Sequence, residues 1–137
     1  KYKVTTYASS QDVTEYVMVL RLGEQYLIRS EARAQQGNFT GAQADLDTIR
    51  QRAGLASTTA SDKAGLLAAI LHERQVELFT EWGHRWLDLK RTATINATMD
   101  TVCRQKGGTW DSHWQLYPVS AYEIKTDPNL SQTPGYK

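Results

Sequence analysis

The sequence predicts a mainly α-helical protein: an antiparallel helical hairpin of tetratricopeptide-like type, a third long helix, and a long irregular C-terminal segment. Apolar residues recur at helical spacing from residue 21 to 91, only three residues separate the first two periodic stretches, and periodicity is lost after residue 91. The 137 residues suit a single domain. We expect an extended lead-in over 1–20, a helical core over 21–91 and a loop-rich closing segment over 92–137.

The first two helices are predicted from about residue 21 to 36 and from about residue 40 to 53. Gly37 follows the first helix, where a left-handed turn commonly ends a helix. Because the link is so short, the two helices are expected to pack antiparallel. Ser30 and Ala42 are small enough to allow a close approach. This layout resembles one tetratricopeptide-type unit, a motif that normally occurs in stacks of three or more.

The third helix is predicted to start near Asp62, which can cap it, and to continue through the stretch ERQVELFTEWGHRWLDLKR at 73–91. A glycine inside a helix costs about 1 kcal/mol in propensity. Gly83 therefore indicates a kink, a bulge, or another backbone packed against this point. Beyond residue 91, the glycines and the loss of periodicity predict a long surface loop over 92–113.

The carboxylates of the third helix allow a catalytic or metal-binding interpretation, which the spacing does not favour. Glu73, Glu77 and Glu81 recur every four residues and so share one helix face. Glu81 and His84 form one Glu-x-x-His pair, whereas a di-iron bundle needs two such pairs and two further carboxylates. Carboxylates on one helix also cannot easily flank a glycosidic bond. We therefore expect no catalytic, cofactor-binding or metal-binding residue.

The remaining interpretation is structural: carboxylates and arginines form a network that holds the third helix against the hairpin. Its expected members on the third helix are Glu73, Arg74, Glu77, Glu81, Gly83, Arg85, Trp86 and Asp88. Candidate partners on the first two helices are Glu24, Arg29, Glu31, Arg33, Arg50 and Arg52. Glu81 and Arg85, four residues apart, are an expected ion pair.

Composition excludes several classes of partner and chemistry. The formal net charge is +1, and basic residues alternate with acidic ones, so no nucleic-acid surface is expected. No apolar run reaches the roughly 20 residues of a membrane-spanning helix. The glycines do not follow a phosphate-loop pattern, and the single cysteine, Cys103, lies in no catalytic signature.

Three stretches together carry a resemblance to a known family. They are RLGEQYLIRSEA at 21–32, the stretch at 73–91 quoted above, and the closing segment that contains LYPVS at 116–120 and QTPGY at 132–136. In this order, they resemble the C-terminal region of the SusD/RagB family. The closing segment departs from the usual family spelling at Ser120 and Thr133. The chain is also several times shorter than family members, so we interpret it as a C-terminal portion.

The resemblance implies a function in nutrient capture. Members of the family are outer-membrane lipoproteins of Bacteroidetes that bind oligosaccharides, or in some cases peptides, at the cell surface. They lie as a lid on a SusC-like TonB-dependent transporter and pass substrate to it. They are not enzymes, and they carry no cofactor. The membrane contact would be a lipid anchor absent from this chain. The alternative is a tetratricopeptide-like protein-interaction module without a small ligand.

Three aromatic residues of the closing segment are candidates for sugar binding: Trp110, Trp114 and Tyr117. The C–H face of a sugar stacks on aromatic rings, while its hydroxyl groups need neighbouring polar side chains. Asp111, Ser112 and His113 supply such groups nearby in the sequence. In the opposing interpretation, these rings only anchor the loop and the closing segment onto the helices.

Overall fold

The computed structural model describes residues 18–137, in which every regular element is a helix and no strand is present. The mainly α-helical fold class is thus confirmed. The helices are α1 (Leu22–Gln35), α2 (Phe39–Arg52), α3 (Lys63–Glu77), α4 (His84–Arg91), α5 (Ile95–Gln105) and α6 (Ala121–Thr126), with a 3-10 turn at Ser112–Gln115. Most of the predicted extended lead-in lies outside the described residues. The chain forms two compact units, which meet in sequence between Leu78 and Phe79.

The first unit begins with the predicted hairpin. Gly37 adopts a φ of 82° after α1, and the Asn38 side chain then caps α2 by accepting a hydrogen bond from the Gly41 amide at 3.0 Å. Ser30 and Ala42 are both fully buried, and the Ser30 hydroxyl donates to the Ala42 carbonyl at 2.7 Å. The close approach expected from these small residues is therefore present.

The core of the first unit lies where α1, α2 and α3 meet. Asp62 caps α3 by accepting from the Gly65 amide at 2.8 Å, as predicted. A typical aliphatic side chain contributes about 1.5–3 kcal/mol when it is fully buried, so this cluster provides much of the driving force for folding. Its buried members are Leu27, Ala34, Ala42, Leu46, Ile49, Leu66 and Ile70.

The prediction of one continuous third helix is wrong. It ends at Glu77, and a new helix, α4, starts at His84. Between them, Thr80, Trp82 and Gly83 have φ values of 63°, 42° and 71°, which an α-helix does not accommodate. Of the roles expected for Gly83, only close packing is wrong, because a Cβ there would meet no atom within 4 Å. Gly83 allows a left-handed turn before α4, rather than close packing.

The second unit contains a helix, α5, in a stretch that the sequence predicts to be a loop. Residues 92–113 were expected to be a surface loop, but α5 occupies half of that stretch, with Ile95 buried at its start. Ser120 caps α6, since its hydroxyl accepts a hydrogen bond from the Glu123 amide at 3.2 Å. Among residues 18–137, no helix is long and apolar enough to cross a membrane.

Candidate functional site

Charged side chains connect the three helices of the first unit. Glu77, at the end of α3, accepts hydrogen bonds from Arg21 and, at 2.5 Å, from Arg52. Glu73 is buried and accepts from Arg50 at 3.1 Å. Each of these contacts joins α3 to α2 or to the residue preceding α1. Such an arrangement stabilises the packing of α3 against its neighbours.

Arg74 and Gly23 also lie where α1 and α3 meet. The buried Arg74 lies 3.8 Å from Glu24 on α1. At Gly23, a Cβ would lie 3.3 Å from a carboxylate oxygen of Glu77 and 3.6 Å from Arg52. The close approach that the sequence reading assigned to Gly83 is therefore found at Gly23.

Two arginines expected to contact the third helix bind an aspartate on α2 instead. Arg29 donates to both carboxylate oxygens of Asp45, at 2.7 and 2.8 Å, and Arg33 donates to Asp45 Oδ2 at 2.7 Å. The hydrogen bonds to Asp45 raise the pKa of the Arg29 guanidinium above its ordinary value. These contacts hold the two helices of the hairpin together.

The rest of the charged motif belongs to the second unit. Asp88 is buried in α4 and accepts from Arg91 at 2.8 Å, three residues along the helix. Glu81 precedes α4, while Arg85 lies in its first turn. The helix is interrupted between these residues and α3, so the continuous four-residue spacing on which the expected Glu81–Arg85 ion pair rests is not present.

A chain of aromatic rings runs through the second unit. Trp86 on α4 contacts Trp110 edge to face, with ring centroids 6.2 Å apart, and Trp110 contacts Trp114 in the same way at 5.7 Å. The indole Nε1 of Trp110 also donates to Asn96 on α5 at 3.0 Å. Trp110 thus anchors the segment after α5 onto α4 and α5, and holds Trp114 in place.

The three candidate sugar-binding aromatics are not equivalent. Trp114 remains 42% exposed although it touches Trp110 and His113. Tyr117 is 74% exposed and makes no ring contact with any residue in 18–137. Trp110 is half-buried among other side chains. Trp114 therefore combines a fixed ring with an accessible surface, whereas Trp110 supports it and Tyr117 lies apart.

Asp111 and His113 form a polar pair beside Trp114. Asp111 Oδ1 accepts hydrogen bonds from the His113 amide at 3.1 Å and from His113 Nδ1 at 2.7 Å. These two bonds lower the pKa of Asp111 below its ordinary value of 3.8, the backbone bond more than the side-chain bond. The sequence predicts both residues as polar neighbours of the rings, whereas their pairing with each other is visible only in the structure.

The closing segment holds this region in shape through side chains that bind backbone groups. The Gln132 amide bonds both the N–H and the carbonyl of Val119, at 2.8 and 3.1 Å. The Tyr136 hydroxyl donates to the Leu116 carbonyl at 2.8 Å, and the Tyr136 ring contacts His113 with centroids 4.7 Å apart. Gln132 and Tyr136 thus hold the backbone at Leu116 and Val119, which follows the candidate site in the sequence.

The described part of the chain holds no group of three or more histidine, cysteine, aspartate or glutamate side chains able to bind a metal ion. The site consists of aromatic surface and hydrogen-bonding groups, which is the chemistry of recognition.

Comparison with known proteins identifies the family. The sequence model of the SusD family, SusD_RagB, matches residues 1–136. The chain belongs to the SusD family. It is 30% identical over 126 residues to the starch-binding protein SusD of Bacteroides thetaiotaomicron, an alignment that covers 88% of this chain and 22% of that protein.

Solved SusD structures share the fold. A SusD superfamily protein from Bacteroides vulgatus superposes with a TM-score of 0.75 at 26% identity, over 85% of this chain and 27% of that one. A SusD-like protein from Bacteroides fragilis gives a TM-score of 0.66 at 30% identity, over 85% and 25%. The chain thus spans about a quarter of the length of the SusD relatives that it matches.

Membership of the SusD family agrees with the expected absence of catalysis. SusD proteins are non-catalytic carbohydrate-binding proteins, and in Bacteroides they are associated with the outer membrane. The stretch at 73–91, which first suggested an active site, instead supplies structural ion pairs to each of the two units.

Proposed function

We propose that this chain is part of a glycan-capture protein at the bacterial cell surface, which delivers oligosaccharide to a SusC-like TonB-dependent transporter. The observation that carries the proposal is membership of the SusD family, in which one relative is named as starch-binding. In this proposal, a lipid anchor elsewhere in the full protein holds it to the outer membrane.

Within this chain, Trp114 is the proposed sugar-stacking residue, and Tyr117 is a second, independent contact. A sugar presents C–H groups on one face, which pack against an indole or phenol ring. Trp114 is held by Trp110 and His113 at 5.7 Å each, so little rotamer freedom would be lost on binding. Trp110 is proposed to position Trp114 without contacting the sugar.

Titration calorimetry with a panel of neutral and acidic oligosaccharides tests the proposal. Trp114→Ala should weaken binding about tenfold or more, since stacking on an aromatic ring is worth roughly 1 kcal/mol beyond its buried area. Trp82→Ala is the matched control, because Trp82 is also exposed but lies in the turn before α4. Equal loss in both variants, or no binding of any glycan, would contradict the proposal.

A tetratricopeptide-like protein-interaction module is the second candidate. An exposed groove of about 300 Å³ on α1 favours it, with Leu22, Tyr26 and Ile28 among its lining residues. Helical hairpins of this type present such faces to neighbouring helices or peptides. If Leu22→Asp abolishes binding of a protein partner while no glycan binds, this second candidate is correct.

A further inference from the structure

The Asp111–His113 pair beside Trp114 has two hydrogen-bond acceptors that no residue in 18–137 uses. Asp111 Oδ1 is occupied by the two bonds from His113. Oδ2 of the same carboxylate accepts no hydrogen bond from residues 18–137, and more than half of the Asp111 side chain is exposed. When Nδ1 of the neutral imidazole donates to Asp111, Nε2 carries the free lone pair. His113 Nε2 likewise has no partner within the described residues.

His113 is held rigidly. Its ring contacts Trp114 at 5.7 Å and Tyr136 at 4.7 Å, both nearly perpendicular. Gly135 brings the backbone so close that a Cβ there would lie 2.5 Å from the His113 Cβ. Together with the bond to Asp111, these contacts fix the ring and therefore the position of Nε2.

Fold stability alone does not explain this arrangement. Exposed ion pairs contribute little to stability, and a phenylalanine at position 113 would make the same ring contacts. The polar pair adds two oriented acceptors next to an accessible indole. Sugar hydroxyl groups are donors, and in sugar sites they bond to such acceptors while the C–H face stacks on the ring.

We propose that Asp111 and His113 form the hydrogen-bonding half of the Trp114 site, and that they select neutral sugars over acidic ones. Asp111 Oδ2 and His113 Nε2 accept hydrogen bonds from hydroxyl groups of the sugar stacked on Trp114. The inference rests on the proposed function and adds to it the class of sugar and the residues that choose it.

The selection follows from charge. The hydrogen bonds from His113 lower the pKa of Asp111, so its carboxylate is ionised at neutral and mildly acidic pH. A uronic acid stacked on Trp114 would bring a second carboxylate close to this one, and like charges repel. A neutral sugar meets only acceptors that match its hydroxyl groups. Discrimination of this kind depends on the unfavourable pairing as much as on the favourable one.

The test compares neutral and acidic probes of similar length in calorimetric titrations of the 137-residue chain. The neutral probes are maltoheptaose, cellohexaose and mannohexaose, and the acidic probe is hexagalacturonate. We expect at least one neutral probe to bind at least about tenfold more tightly than hexagalacturonate. His113→Phe keeps the ring contacts and should weaken neutral binding about tenfold, because it removes Nε2.

Asp111→Asn is the more specific variant. Its remaining oxygen can still accept both bonds from His113, so the loop keeps its shape, while the charge and the Oδ2 acceptor are lost. Neutral binding should weaken, and the ratio of neutral to acidic affinity should fall about fivefold or more. Asp100→Asn, which removes another partly exposed carboxylate of the same unit, should leave the ratio unchanged. Thermal melting of each variant checks that it is folded.

The outcomes separate the two proposals. If the wild type binds no probe, both fail. If a glycan binds but both variants match the wild type, or if hexagalacturonate binds best, the inference about Asp111 and His113 is overturned while the proposed function stands. A lowered neutral-to-acidic ratio in Asp111→Asn, with an unchanged ratio in Asp100→Asn, supports the inference, because a purely structural role would not change selectivity.

Discussion

Replacement of Asp45 by asparagine tests whether the charged contacts within the hairpin stabilise it. The Asp45 side chain is 4% exposed, so water has little access to it. Three hydrogen bonds end on its carboxylate, two from Arg29 and one from Arg33. Asparagine has nearly the same shape, but it loses the charge and turns one acceptor into a donor that faces a guanidinium group.

The expected destabilisation is about 2–4 kcal/mol. A hydrogen bond to a charged group contributes about 1.5–3 kcal/mol, and breaking a buried ion pair costs about 3–5 kcal/mol. Two effects make the expected destabilisation smaller than that of breaking a fully buried ion pair. The Arg29 and Arg33 side chains are 53% and 33% exposed, so water can solvate them in the variant. Removing the charge of Asp45 also removes the cost of burying it.

Urea denaturation followed by far-ultraviolet circular dichroism measures this change. Asp100→Asn is the control; its partner, Arg104, is 74% exposed, so a change below about 0.5 kcal/mol is expected. A double-mutant cycle of Asp45→Asn with Arg29→Met should give a coupling energy above about 1 kcal/mol. If Asp45→Asn unfolds within about 0.5 kcal/mol of the wild type, the contacts are solvated and do not hold the hairpin together.

Three further predictions concern other contacts. Gly135→Ala should lower the melting temperature of the second unit measured by tryptophan fluorescence, because φ is 95° and the new Cβ would collide with His113. Gly37 also has a positive φ but has open space around it, so the control variant Gly37→Ala should lower the free energy of unfolding by only about 1 kcal/mol. Ser30→Ala should destabilise by about 0.5–1.5 kcal/mol in urea denaturation, since the buried Ala42 carbonyl of α2 loses the hydrogen bond that it accepts in addition to its bond within the helix. The lowered pKa of Asp111 stabilises the fold above the unfolded-state pKa, and this contribution is lost as pH falls through the folded-state pKa. In carbon NMR titrations, His113→Phe should reverse only part of that lowering.

The sequence predicts the hairpin well because its determinants are local. The helical stripe, the three-residue link and Gly37 act within a few residues of one another. Ser30 and Ala42 face each other as a direct result of the antiparallel packing. The predicted ends of both helices therefore lie within one residue of the observed ends, and the predicted close contact between the helices is present.

The break at Gly83 and helix α5 depend on signals that are weak in the sequence. Residues 78–83 include no proline, and their pattern continues the helical spacing, but Thr80 and Trp82 adopt positive φ, which few side chains favour. Conversely, α5 contains threonine and asparagine, which have low helix propensity. The four-residue spacing of Ile95 and Met99 is the feature of the sequence that indicates an amphipathic helix here.

Charge partners could not be assigned from spacing alone. An arginine on a surface helix reaches several neighbouring elements, and the packing of the helices decides which carboxylate it meets. Arg50 and Arg52 do meet Glu73 and Glu77 as expected, because α2 lies against α3. Arg29 and Arg33 were expected to do the same, but Asp45 is directly opposite them on α2 and binds both.

The aromatic residues of the second unit show how packing converts a sequence motif into distinct roles. Trp110, Trp114 and Tyr117 look alike in the sequence, since each lies in a polar segment near the next. Trp110 donates a hydrogen bond to Asn96 and contacts Trp86, so its ring packs between α4, α5 and Trp114. Trp114 then gains a fixed orientation at the surface. A recognition site needs both qualities, because a mobile ring loses entropy on binding and a buried ring cannot touch a ligand.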